Sequence, residues 1–165
     1  NFAGGVRAIY RGISREPYRV LLEDHQDKER LALAAQSAGL EPFAGGEPCG
    51  SLADYHRRLA SSRILLAPQS TRPLGGLAAI DAAAMGTLII GNRAQTWNPF
   101  LILPELDCRG VAHAVRLARK LLDDEAHLSR CLDAQNARLN WFCWGRPLRQ
   151  IAKLMEKKRK AESGR

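Results

Sequence analysis

The chain has 165 residues, enough for one buried core and too few for two domains of ordinary size. Apolar residues make up 45%, yet no run approaches the roughly 18 uninterrupted apolar positions of a membrane span, so a soluble domain is expected. The formal charge of +8 comes from 25 basic and 17 acidic residues, and eight of the basic but only two of the acidic ones fall between Arg146 and Arg165. The rest of the chain is nearly neutral, which argues against a general nucleic-acid surface and for a basic tail.

Asn1 to Ile13 lacks a cationic stretch followed by an apolar core, so no signal peptide is expected, and the missing initiator Met suggests a processed or excised piece. Val6 to Tyr10 favours a strand, followed by a loop through Pro17. Tyr18 to Leu22 is a second short apolar run, closed by the charged turn Glu23 to Asp27. From Lys28 the positions Leu31, Ala34, Ala35 and Ala38 recur at helical spacing, and Gly39 stands where a helix would end. Leu40 to Phe43 suits an edge strand. Ser51 with Asp54 three residues on forms a capping box, and Leu52, Tyr55 and Leu59 share a face of the helix it opens.

Ile64 to Ala67 is a buried strand stopped by Pro68, Leu77 to Met85 an alanine-rich helix ended by Gly86, and Leu88 to Ile90 a further buried strand. Leu101 to Leu103 is taken as a short strand, Val111 to Leu122 and Ala126 to Leu139 as helices, and Pro147 as the opening of a last helix. Strands and helices alternate, and the strands are continuously apolar. The expected fold is therefore α/β, a Rossmann-like parallel sheet with helices on both faces. One such domain over residues 1–155 is followed by a basic tail at 156–165. Cys49, Cys108, Cys131 and Cys143 form no C-x-x-C pair, so free thiols in a reducing cytosol are expected and no metal site.

In a sheet of this kind ligands lie beyond the carboxyl ends of the strands. The loop Pro68 to Gly76 leads from a buried strand into a helix, whose first N–H groups and partial positive charge suit a diphosphate. Gly75 and Gly76 allow close approach to the backbone, Arg72 offers a bidentate phosphate donor, and Asp81 stands where a ribose hydroxyl could be met. The same residues suit a glycine-rich turn before an ordinary helix, and these signals alone do not decide between the two.

The run ILLAPQSTRPLGGLAAIDAAAMGTLII, Ile64 to Ile90, resembles the signature of the retaining glycosyltransferases of group 1, which have the glycosyltransferase-B fold. That signature is an apolar strand, P-S-x-x-E, then F-G and E-A-M-A-x-G-x-P-V-I, with Asp81 at the second glutamate. The likeness extends back through YRVLLEDHQDKERLALAAQSAGL and forward to NWFCWGRPLRQIAKL, roughly Tyr18 to Met155. It implies one half of a glycosyltransferase-B fold that binds a nucleotide-diphosphate sugar for transfer to an acceptor. Gln69, Ser70, Thr71, Arg72, Gly75, Gly76 and Leu77 would then meet the donor, Asp81 its ribose, and Arg11 and Arg15 its diphosphate. No metal or other cofactor is implied.

Where the family has its first glutamate this chain has Arg72 or Pro73. The resemblance also implies an N-terminal acceptor domain as partner, without which the isolated chain would turn over little, and it names no catalytic residue here. A noncatalytic domain for partner or membrane docking and half of a sugar-nucleotide epimerase are the alternatives. The expected location is cytoplasmic, with the basic tail suited to an anionic inner membrane face.

Overall fold

The apolar runs Arg19–Leu22 (β1), Ile64–Ala67 (β3) and Leu88–Gly91 (β4) join Glu41–Ala44 (β2) in a four-stranded sheet of order β2-β1-β3-β4. Every neighbouring pair is parallel, with Val20 opposite both Pro42 and Ile64, and Leu65 opposite Ile89. The computed structural model of the protein describes residues 15, 17–22, 28–44, 51–68, 77–94, 98–141, 150–151 and 153–156. The expected strand Val6 to Tyr10 lies outside them, as do Phe142, Trp144 and most of the basic tail.

Helices alternate with and then follow these strands: Lys28–Ser37 (α1), Leu52–Ser61 (α2), Leu77–Met85 (α3), Asn98–Leu101 (α4), Val111–Leu122 (α5) and Glu125–Trp141 (α6). α1 packs on α5, while α3 packs against both α2 and α6. Right-handed crossovers from β1 to β2 and back across to β3 put α1 on one face of the sheet and α2 and α3 on the other. Both faces are thus covered, which is why Leu65, Leu66, Ile89 and Ile90 are all buried without alternation. The architecture is the expected Rossmann-like α/β one.

Local signals set the element ends. At α2, the Ser51 hydroxyl oxygen accepts the Asp54 N–H at 3.1 Å and donates to the Asp54 carboxylate at 2.7 Å. α1 and α3 end alike. Gly39 and Gly86 take φ of 70° and 81°, and the N–H of the residue after each reaches back to the carbonyl of Ala35 (3.0 Å) and Ala82 (2.8 Å). Each glycine turns the chain so that the next strand starts within two residues.

Two expectations are corrected. Leu101 to Leu103 is not a strand: α4 covers Leu101, and Pro104 opens one turn of 3-10 helix, Pro104–Leu106. Leu101, Ile102 and Leu103 are buried, so the apolar run marked burial rather than sheet pairing, and Pro99 and Pro104 supply turn geometry on either side. Leu52, expected on the inner face of α2, is exposed, because the first turn of that helix extends past the core while Leu59 lies within it.

Among the described residues the outer edge of β4 has no neighbouring strand except at the single bridge from Gly91 to Asp107. Gln135 of α6, fully buried, fills the gap: its amide oxygen accepts the Ile89 N–H and its amide nitrogen donates to the Thr87 carbonyl, each at 2.9 Å. At the end of the same strand a Cβ on Gly91 would lie 2.8 Å from Ile102 Cδ1 and 2.9 Å from the Ala67 carbonyl oxygen.

Replacing Gln135 by Leu should strand two buried backbone groups and destabilise the fold by about 2–4 kcal/mol, measurable as a shifted urea midpoint. Gly91→Ala should cost about 1–3 kcal/mol, since the Ala67 backbone cannot yield as a side-chain tip can.

Candidate functional site

The strand order reverses between β1 and β3. The chain leaving β1 turns to α1 on one face, and the chain leaving β3 turns to α3 on the other, the topological switch point beyond whose strand ends sheets of this kind take their ligands. The segments that flank it are 23–27 and 69–76. Gln69, Ser70, Thr71, Arg72, Gly75 and Gly76, between β3 and α3 in the sequence, lie outside the described residues, as does Arg11. Leu77 is the first residue of α3, immediately after the loop.

Asp81 lies one turn further along α3 and is half-buried in the seam with α2. The Tyr55 hydroxyl donates to its Oδ2 in a long hydrogen bond of 3.4 Å. Tyr55 stacks at a tilt on His56, ring centres 5.6 Å apart. Burial raises the Asp81 carboxyl above the ordinary aspartate range, opposed in part by His56 and by the Tyr55 hydrogen bond. The arrangement is an acceptor oriented by a phenol, close to a helix N-terminus, which suits a ligand carrying both hydroxyl donors and negative charge.

Sequence reasoning gave Tyr55 only a core-facing place and His56 none at the site. The parallel strands β2 and β3 start α2 and α3 at the same end of the sheet, where Tyr55 reaches Asp81, a contact that the local sequence does not announce.

Arg15 is not brought to this end. Its guanidinium donates to the carbonyls of Met85 (2.6 Å) and Gly86 (2.7 Å), closing the carboxyl end of α3 about 12 Å along the helix from Leu77. The positive side chain meets the negative end of the helix dipole and satisfies carbonyls that the helix leaves open. Arg15, Arg63, Gly86 and Leu132 line an open cleft of about 240 Å³ there, with Arg63 bound to Glu125 at 2.5 Å.

Among the described residues no group of three His, Cys, Asp or Glu side chains could hold a metal ion. Cys108 and Cys131 are free and buried, and burial pushes the Cys108 thiol up to about 11, which leaves it a packing group rather than a nucleophile. No helix among the described residues is long and apolar enough to cross a membrane. The chain matches no protein-family model, no curated protein and no solved structure.

The raised Asp81 carboxyl carries a stability consequence. The native state holds a proton there more tightly than the unfolded chain does. The resulting stabilisation is complete below the ordinary aspartate value of about 3.9 and is lost as pH rises through the native value. At neutral pH the charged, half-buried carboxylate is therefore a burden on the fold. Asp81→Asn should raise the melting temperature at pH 7, with a difference that closes below about pH 4 in a thermal melt series.

Proposed function

We propose that this chain is the donor-binding domain of a glycosyltransferase, holding a nucleotide-diphosphate sugar whose glycosyl group passes to an acceptor. The observation that carries the reading is Asp81, one turn into α3 and met by Tyr55 of α2, on the helix that follows β3 where the strand order reverses between β1 and β3. A diphosphate bound by the Gln69 to Gly76 loop and the first N–H groups of α3 would put the adjoining ribose within reach of the Asp81 carboxylate, which Tyr55 orients. The sequence resemblance of Ile64 to Ile90 supports the same assignment of roles.

In such a transfer the bond between the anomeric carbon and the diphosphate oxygen breaks, and negative charge grows on the leaving diphosphate. Backbone N–H groups and Arg72 would stabilise that charge without a bound metal. With Arg15 engaged at the other end of α3, Arg72 in the loop and Arg11 remain the cations for this task. The acceptor and the reacting partner groups would come from a second, N-terminal domain. Arg72 or Pro73, standing where the resembled family has a glutamate, leaves the sugar hydroxyls without that carboxylate and makes the nucleotide half of the donor the main source of affinity.

Calorimetric titration with UDP-, GDP- and ADP-sugars should detect binding of at least one, with little turnover by the chain alone. Asp81→Ala should weaken it by about tenfold to a hundredfold, the loss expected when a buried hydrogen bond to a charged acceptor is removed. Binding of no nucleotide at millimolar concentration would refute the reading.

A further inference from the structure

Seven large apolar side chains are exposed among the described residues, and three of them, Ile151, Leu154 and Met155, fall within five positions of one another. Residues 150–151 and 153–156 are helical, and these three are 52%, 66% and 68% exposed. At about 100° per residue they share one face, with Gln150 at its border, while Lys153 and Glu156 fall on the opposite one. In α5, by contrast, Ala114, Val115, Ala118, Leu121 and Leu122 are all buried.

The charge around this stripe is one-sided. Arg146 and Arg149 precede it in the sequence and Lys157, Lys158, Arg159 and Lys160 follow, and of the chain's 17 acidic residues only Glu156 and Glu162 lie in the same twenty positions. An apolar face with a dense positive surround is the pattern of a helix that lies in a membrane interface, its aliphatic side dipping among acyl chains while lysine and arginine stems reach outward to headgroups. A second copy of the chain fits poorly. Joining two such faces would bring two strongly basic segments together. Nucleic acid would meet the charge but leave the aliphatic stripe unused.

From this geometry we infer that the segment around 150–156 docks the protein onto an anionic lipid surface. The inference does not depend on nucleotide binding, so failure of one leaves the other standing. It is tested by cosedimentation of the full chain with phosphatidylcholine vesicles, with and without about one-quarter phosphatidylserine.

The expected result is pelleting with the anionic vesicles only, much reduced at about 0.5 M salt. Joint replacement Ile151→Ser, Leu154→Ser and Met155→Ser should lower partitioning roughly tenfold or more without moving the melting temperature, because these side chains are exposed. Lys157→Glu with Lys158→Glu and Lys160→Glu should lower it comparably. Absence of pelleting with anionic vesicles would overturn the inference, and so would undiminished pelleting of the triple serine variant. A dimer by light scattering that the serine variant converts to monomer, without vesicle binding, would assign the face to a second copy and overturn it as well.

Discussion

The amide of Gln135 holds the sheet to the helical layer on which the rest of the structure depends. A parallel sheet of four-residue strands has few ladder bonds, and among the described residues no full strand covers the outer flank of β4. By pairing with Thr87 and Ile89 as another strand would, the side chain secures β4 to α6. Thr87 extends the tie on its other side, its hydroxyl lying 2.8 Å from the Leu59 carbonyl oxygen and 3.1 Å from that of Ser62. A buried polar chain thus links α6, the start of β4 and the end of α2. α3, packed between α2 and α6, is held in place by the same tie.

That placement matters at the far end of α3. Its buried face is nearly all alanine, with Ala79, Ala82, Ala83 and Ala84 allowing the helix to lie close to the sheet. Arg15 closes one end, and the other end lies where the strand order reverses. The two ends have opposite tasks: the carboxyl end is saturated by a guanidinium, and the amino end follows directly on the loop to which the donor diphosphate is proposed to bind. Asp81, half-buried in between, is stabilised less well than a neutral residue would be. Such a burden is common where a group is kept for binding rather than for the fold.

Much of this was legible in the sequence, for physical reasons. Ile64–Ala67, Leu77–Met85 and Val111–Leu122 have the expected ends because proline, positive-φ glycine and an apolar-to-polar change coincide there. Leu101 to Leu103 misled because three consecutive apolar residues report burial, and only chain partners decide whether a buried segment pairs. Asp81 was singled out by a motif resemblance. Tyr55 as its partner was not, since contact between two helices joined through a strand is a tertiary fact without a local signature. Gln135 was missed for the same reason: a glutamine within a helix looks like surface until the edge it completes is known. Arg15 was assigned by charge and chain position, and charge alone does not say which end of a helix it will meet.

The opposite margin of the sheet is managed differently. Glu41 donates its N–H to Tyr18, so in β2 it is Pro42, the next residue, whose backbone turns outward. Proline has no N–H to offer there. An incoming strand would find a broken row of donors on β2 and, on β4, the Ile89 N–H already given to Gln135 and the Gly91 carbonyl already taken by the Cys108 N–H at 2.9 Å. Among the described residues neither margin offers an unbroken template for edge-to-edge addition of a further chain. A domain built on a parallel sheet, which folds through non-local pairing and exposes its strands while doing so, gains from this a barrier to aggregation through those margins once folded.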